Sequence, residues 1–378
     1  MKIAMISGGG GSGGLVAYIR GLLSVKTEDE VLFVCTQALR EKLGAVAENV
    51  QFCALAEAKE RGAELLRNKP LDAKVVQVVD DFCPDIVLYI NGWIRRGLEK
   101  YPNVMILHNQ LYVDNQALKQ TLTLKKAASL LSFRHIVRRS MKKADGVIFL
   151  SDKSMWDAKA AGVKFNKGGV AYFGIPEENF SACPAEHTSN EKLKLLYVST
   201  FWGYKNHSSL LDALKLLKDK GFSFEMHFVG AGPTKGEMQI KEKVKVLGLD
   251  GDVVFHGNKS HDKVLEAMDE SDIFVYPSAV ESTGLGVMEA MARGMCIASS
   301  DMSCMPSVLK DAGVYFSPKQ PQSIADAIEQ LLRDASMRTT LSKKAWELAK
   351  QYTWESAVAQ TIAFLENTAE KRQSEQGA

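Results

Sequence analysis

The feature of this sequence that most limits its fold is an alternation of short apolar runs with longer amphipathic segments. In the first half the apolar runs are KIAMIS, EVLFVCT, DIVLYI, NVMILHN, DGVIFLS and GGVAYFG, and helix-length segments such as residues 15–25 and 39–46 lie between them. This alternation is typical of βαβ units, in which helices cover both faces of a parallel sheet. The pattern therefore predicts an α/β fold.

The alternation pauses once and then restarts. Residues 177–191, EENFSACPAEHTSNE, are polar, contain a proline and lack an apolar period, as an interdomain linker would. The later runs are KLLYVST, SFEMHFVG, DVVFHG, DIFVYPS, GMCIASS and GVYFSP. Because 378 residues exceed the length at which a single core stops growing, we predict two Rossmann-like domains, residues 1–180 and 190–355. The tail EKRQSEQGA is expected to fray.

Charge and cysteine content exclude some classes of protein. Forty-seven basic and 45 acidic side chains give a net charge of +2, which does not indicate nucleic-acid binding. The six cysteines contain no CxxC pair, so we expect reduced thiols and a cytoplasmic protein. No stretch reaches eighteen apolar residues.

A glycine-rich run, SGGGGSGG, follows the first apolar run and precedes the first amphipathic segment. Glycines let a backbone approach an anion closely, and the free amides at a helix start favour phosphate. Gly13 and Gly14 are therefore candidate contacts for a pyrophosphate, and a flexible turn is the alternative. No acid follows the second strand to hold a ribose diol, which argues against a dinucleotide fingerprint.

The segment VESTGLGVMEAMARG, residues 280–294, places two carboxylates around a glycine pair. Glu281 is expected in the loop after a buried strand, and Glu289 in the helix that follows. Amides near Gly284 and Leu285 would form a helix start suited to a diphosphate, and a carboxylate can accept hydrogen bonds from adjacent hydroxyls. The alternative is a helix-start acid and a solvated helix residue.

Further candidates follow other strands. Lys205 would neutralise a leaving diphosphate, and His108 ends a strand of the first half, although a surface lysine and a structural histidine are the alternatives. Backbone at Gly230, Gly257 and Asn258 would contact a base or sugar, or simply form turns.

Residues 115–144 contain no acidic side chain and interleave leucines with basic residues. This composition predicts a helix that lies on an anionic membrane surface or contacts an anionic acceptor; a solvated helix with a core face is the alternative. The basic residues assigned to this patch are Lys125, Lys126, Arg134, Arg138, Arg139 and Lys142.

With these residues together, the chain resembles the retaining GT-B glycosyltransferases of family GT4, over essentially its whole length. The most specific element is Glu-x7-Glu, Glu281 to Glu289, continued as EAMARG. Five further segments match the pattern of this family: the glycine pair at 13–14, Lys205-Asn206, Gly-x-Gly-Pro at 230–233, Phe255-His256-Gly257 and Tyr352-Thr353-Trp354.

The resemblance implies a GT-B fold with a nucleotide-sugar donor between the two domains and held mainly by the second. It implies that Glu281 contacts the donor sugar near the reacting centre as a catalytic residue, Glu289 binds the ribose, and Lys205 meets the diphosphate. Gly13 and Gly14 would approach the diphosphate and His108 the sugar. The reaction would retain anomeric configuration without a metal or other cofactor, and residues 356–378 would form a helix that crosses back to the first domain.

From this we predict a hexosyltransferase with a glycan or lipid-linked acceptor, acting in capsule or lipopolysaccharide biosynthesis at the inner face of the membrane. Ser199-Thr200 stand where many relatives carry Gly-Arg, Thr283 where phenylalanine is common, and Ser307 where glutamate often follows proline. A nucleotide-sugar-binding protein without catalysis is therefore an alternative. An epimerase or dehydrogenase of similar fold is another, and it predicts the acid that is missing after the second strand.

Overall fold

The structure is a computed structural model that describes residues 1–8, 13–55, 70–115, 118, 124–184, 192–232 and 234–376. The chain forms two compact units. The first unit comprises Met1–Gly174 and Trp354–Ala378, and the second comprises Ile175–Thr353. Of the predicted linker, residues 177–184 lie within the second unit, and residues 185–191 lie outside the described residues.

The first unit contains a parallel sheet of seven strands. Its strands are β1 Lys2–Ile6, β2 Glu30–Thr36, β3 Val50–Leu55, β4 Ile86–Tyr89, β5 Asn103–Leu107, β6 Gly146–Phe149 and β7 Gly168–Val170. They are ordered β3-β2-β1-β4-β5-β6-β7, which contains the strand order of a Rossmann fold. Its helices are α1 Gly13–Ser24, α2 Gln37–Leu43, α3 Ala73–Phe82, α4 Leu124–Lys143 and α5 Asp152–Ala160.

The central strands of this sheet are buried on both faces, which explains their unbroken apolar sequences. Every residue of β4 and β5 is buried. The edge strand β3, sequence VQFCAL, was not predicted, because its residues are only partly buried and its apolar pattern is weak.

The second unit contains a parallel sheet of six strands. Its strands are β8 Leu193–Val198, β9 Phe224–Val229, β10 Val253–Phe255, β11 Ile273–Tyr276, β12 Cys296–Ser300 and β13 Val314–Phe316, ordered β10-β9-β8-β11-β12-β13. Its helices are α6 His207–Asp219, α7 Thr234–Val246, α8 His261–Asp269, α9 Leu285–Ala292, α10 Met305–Leu309, α11 Pro321–Arg333 and α12 Ala335–Ala349. The prediction of two Rossmann-like domains is therefore confirmed.

The final helix, α13 Trp354–Gln376, belongs to the first unit. Trp354 packs against Tyr18 and Phe173, with ring centroids 5.7 Å and 4.9 Å apart. The expectation that the tail frays after residue 369 is wrong, because the helix continues and Arg372 pairs with Asp145. Among the helices that the structure describes, none combines the length and apolar character needed to cross a bilayer.

Candidate active site in the second unit

The segment with the two glutamates connects β11 to α9, at the carboxyl end of the sheet. The helix begins at Leu285, so Glu281 lies in the loop four residues before it and Glu289 lies four residues into it. Ligands of doubly wound sheets bind at this end of the strands. The two acids therefore flank a helix start at the edge of the sheet where a ligand is expected.

Glu281 is held by several bonds. Its Oε1 accepts from Lys205 Nζ at 2.5 Å and from the Tyr276 hydroxyl at 2.8 Å. Its main chain pairs with Ser303, whose Oγ accepts from the Glu281 amide and donates to the Glu281 carbonyl. Lys205 and Glu281, both predicted to contact the donor, are thus in direct contact with each other.

The loop that carries Lys205 is hydrogen-bonded to the loop that carries Glu281. Asn206 has a left-handed backbone, and its side-chain amide donates to the Pro277 carbonyl at 2.8 Å. The Ala279 amide donates to the Tyr204 carbonyl at 2.9 Å, and the Tyr197 hydroxyl to the Lys205 carbonyl at 2.9 Å. These bonds fix the lysine main chain and leave the ammonium at the end of a flexible side chain.

The start of α9 favours glycine at its N-cap. Gly284 has φ +69°, and a Cβ there would lie 2.4 Å from Met305 Cε. Because the N-cap residue is glycine, it has no side chain to cap this helix end. The first amides of a helix lack intrahelical acceptors and carry a partial positive charge, so those at Leu285 and Gly286 suit an anion such as a diphosphate.

Glu289 is a carboxyl in an apolar environment. Its side chain is 13% exposed, and Val287, Met288, Ala290 and Met291 of the same helix are fully buried. Burial raises the pKa of Glu289 to about 7. The Nδ1 of His261 lies 3.8 Å from Glu289 Oε1. The carboxyl is therefore not the solvated helix residue of the alternative interpretation.

The two predicted turns of this unit touch each other. The Gly230 amide donates to the Gly257 carbonyl at 2.8 Å, and Asn258 is exposed beside them. Gly230 has φ +133°, and a Cβ there would lie 2.2 Å from the Ser199 carbonyl oxygen. The close approach of the Ser199 backbone thus explains why glycine occupies position 230. Pro233 of the same motif lies outside the described residues.

In the first unit, His108 lies just after β5. Its ring meets Tyr18 edge to face at 4.7 Å, and its Nε2 has no hydrogen-bond partner among the described residues. Burial lowers the pKa of His108 to about 4, so the imidazole is neutral near pH 7. Gly13 and Gly14 begin α1, where a Cβ at Gly14 would meet no atom within 4 Å. Residues 9–12 of the glycine-rich run lie outside the described residues.

The basic segment forms α4, and the structure corrects its predicted surface. Arg134 is only 6% exposed and donates to the carbonyls of Leu111, Val113 and Asp114. Arg138 donates to the carbonyls of Tyr112 and Val113. The assignment of Arg134 to a membrane or acceptor patch is wrong, because its guanidinium is buried against carbonyls of its own unit; the assignment of Arg138, which is half-buried, stays a prediction.

Arg139 and Lys142 of the predicted patch are exposed on α4. The side chains of Lys125 and Lys126 lie outside the described part of the helix.

Several site residues were missed by the sequence analysis. Tyr276, Ser303 and His261 each contact or approach one of the two glutamates. The position of Tyr276 at the end of a buried strand was a usable signal, since polar groups at strand ends face the ligand edge of such sheets. Ser303 and His261 follow other strands and carry no local signal that links them to the glutamates.

Comparison with known proteins relates this site to a family. Residues 183–348 match the model of the family described as glycosyl transferases group 1. The matched stretch lies within the second unit and contains Lys205, Glu281 and Glu289.

Two curated relatives align with parts of the chain. The sulfoquinovosyl transferase of Arabidopsis thaliana is 29% identical over 152 residues, 39% of this chain and 29% of the relative. The O-antigen chain mannosyltransferase B of Escherichia coli is 38% identical over 89 residues, 24% of this chain and 23% of the relative. The alignments span less than a third of the length of either relative.

The solved structure of the Anabaena protein HepE in complex with UDP and glucose is similar over almost the whole chain. The TM-score is 0.71 at 19% identity, covering 97% of this chain and 100% of that chain. A likeness at this identity shows the fold. The predicted GT-B fold class is therefore confirmed.

Proposed function

Because residues 183–348 match the group 1 glycosyl transferases, we propose that this protein transfers a hexose from a nucleoside diphosphate sugar to a glycan or lipid-linked acceptor. The proposed reaction retains the anomeric configuration of the donor and contributes to a surface polysaccharide. The observation that carries this proposal is the arrangement around α9, in which two acids flank a helix start with glycine at its N-cap and a lysine reaches the first acid.

Each group in that arrangement suits one part of such a donor. Glu289 would accept hydrogen bonds from the ribose hydroxyls, and Glu281 would bind hydroxyls of the transferred sugar. The amides of Leu285 and Gly286, with Lys205, would hold the diphosphate. Gly230, Gly257 and Asn258 are proposed contacts for the base or sugar. From the family resemblance, Gly13 and Gly14 are proposed to approach the diphosphate, and His108 is proposed to contact the sugar.

The proposed chemistry needs positive charge where the diphosphate leaves. The bond between the anomeric carbon and the diphosphate oxygen breaks, and a bond to the acceptor oxygen forms on the same face. The acceptor hydroxyl proton passes to the leaving diphosphate. Lys205 and the helix amides would stabilise the charge that develops on the diphosphate. Donor binding must therefore draw Lys205 away from Glu281, which frees the carboxylate for the sugar.

The relatives support the donor class and the biological role. One is named for transfer of mannose to O-antigen chains, and the structural relative was solved with UDP and glucose. The exposed Arg139 and Lys142 of α4 support contact with an anionic membrane surface or acceptor.

A thermal-shift panel of UDP, GDP, ADP and their hexose conjugates tests donor binding, because a ligand that binds the folded state raises its stability. We expect the nucleotides of one base to raise the melting temperature of the protein. Lys205→Ala is expected to weaken binding of that diphosphate by about tenfold, with little effect on the corresponding nucleoside. Lys263→Ala, which removes an exposed lysine of α8, is the matched control. Failure of all nucleotides to stabilise the protein would refute the proposed donor site.

A second candidate is a nucleotide-sugar-binding protein without catalysis. It is favoured by Ser199-Thr200 in place of the Gly-Arg pair, and by the ion pair that occupies Lys205. Single-turnover release of nucleotide, measured with and without candidate acceptors, separates the two functions. Acceptor-dependent release that is lost in Glu281→Ala supports the transferase; tight binding without release supports the binding protein.

A further inference from the structure

The buried carboxyl of Glu289 has a neighbour that lies outside the segment from Glu281 to Glu289. His261 is the first residue of α8, and its Nδ1 lies 3.8 Å from Glu289 Oε1. This separation is too long for a hydrogen bond, and the imidazole is 51% exposed to solvent. A small rotation would bring its nitrogen to the carboxylate.

The proton of His261 is positioned by Asn179. The Asn179 side-chain amide nitrogen lies 3.2 Å from His261 Nε2. An amide nitrogen only donates, so Nε2 accepts and the neutral ring carries its proton on Nδ1. The N–H bond is therefore on the side of the ring that faces Glu289.

Asn179 is itself fixed to the helix that carries Glu289. It is 3% exposed, and its carbonyl accepts from Arg293 at 3.2 Å. Arg293 is one turn after Glu289 and is paired with Asp269 at the end of α8. Asn179 thus links His261 to Arg293, the residue that follows the helix carrying Glu289.

We propose that His261, oriented by Asn179, positions the Glu289 carboxylate for the ribose hydroxyls of the donor. This inference rests on the donor site proposed above. One carboxylate oxygen would accept the Nδ1–H of His261, which leaves the remaining lone pairs directed at the two ribose hydroxyls. His261 is then a positioning residue that acts through Glu289.

The ribose specificity of binding provides the test. Affinities of the full-length protein for UDP, GDP and ADP and for their 2′-deoxy analogues are measured by calorimetry. For the base that binds, His261→Ala is expected to weaken ribonucleotide binding by about tenfold, the value of one hydrogen bond to a charged group. Binding of the 2′-deoxy analogue should change by less than about twofold, as for an independent site.

Two further variants complete the design. His261→Asn places an amide N–H close to the position of Nδ1 and should restore part of the discrimination between ribose and deoxyribose. Lys263→Ala alters the same first turn of α8 on an exposed position and should leave discrimination unchanged. Thermal melts of all variants verify folding.

The possible failures are distinguishable. If the wild-type protein binds none of the three diphosphates, the proposed donor site is refuted and this inference falls with it. If the wild type binds one of them and His261→Ala weakens the ribonucleotide and its deoxy analogue equally, or weakens neither, the positioning role alone is refuted.

Discussion

Glu289 occupies a position where an ionised side chain destabilises the fold. It lies within an apolar helix face, and its carboxyl has no hydrogen-bonded cation among the described residues. Burial disfavours the charged form, which explains the raised pKa. The proposed donor role accounts for such a residue, because stability and function conflict at active sites.

The first prediction follows from this pKa. Glu289 titrates near 4.5 when exposed and at about 7 in the folded protein, so the folded state binds more protons between these values. Its stability contribution is therefore complete below pH 4.5 and is lost as pH rises through 7. The corresponding loss of unfolding free energy is about 3 kcal/mol.

Glu289→Gln should remove this dependence. Relative to the wild type, we expect the variant to gain unfolding free energy between pH 5 and pH 8 and to lose nucleotide binding. Urea denaturation at both pH values measures the difference, and Glu266→Gln at an exposed position is the control. A constant difference between Glu289→Gln and wild type across this range would contradict the raised pKa.

At the scale of elements, the turns that follow β9 and β10 depend on glycine to different degrees. Gly230 has φ +133°, and a Cβ added there would lie 2.2 Å from a main-chain oxygen, whereas Gly257 has φ +67° and open space around it. Backbone cannot move aside as a flexible side chain can. The two glycines thus form a matched pair.

Gly230→Ala should destabilise the protein by several kcal/mol, because strain and a backbone clash add together. Gly257→Ala should cost about 1 kcal/mol, the strain of a left-handed residue. Denaturant unfolding of both variants provides the comparison. Equal losses of unfolding free energy in the two variants would show that the clash at Gly230 is relieved by a shift of the chain.

Helix α4 gives a second prediction at this scale. Charge reversal at the exposed Arg139 and Lys142 should reduce sedimentation with anionic vesicles, since each basic residue near such a surface contributes about 1 kcal/mol. Arg134→Gln should instead lower thermal stability, because it removes the buried guanidinium that donates to the carbonyls of Leu111 and Asp114 and, together with Arg138, to that of Val113. Equal sedimentation with neutral and anionic vesicles would remove the proposed membrane contact.

At the scale of the whole molecule, the proposed transferase supplies all positive charge at the diphosphate from the chain itself. We therefore expect turnover to stay within about twofold in excess EDTA, because Lys205 and the α9 amides replace a metal ion. Activity lost to EDTA and restored by Mg²⁺ would show that these groups do not suffice. Lys205→Ala assayed in the same buffers links the result to the lysine.

Much of the fold was predictable because strands and helices have local periods. Runs such as DIVLYI are apolar throughout because both sheet faces are covered. Of the thirteen strands in the described part of the chain, twelve coincide with runs read from the sequence. Strand β3 was not predicted, because partial burial at a sheet edge weakens its apolar pattern. The Glu281 and Glu289 motif was identifiable because helix and loop signals bracket it.

Local sequence was thus enough to establish two parallel-sheet domains and the acids, glycine and lysine that follow their strands. It took the folded chain to pair Lys205 with Glu281, to bring His261 and Asn179 to Glu289, and to turn Arg134 inward. The reason is that local periodicity reports which face of an element is buried. Ion pairs, desolvation and tautomers depend on groups that strand order brings together from distant parts of the chain.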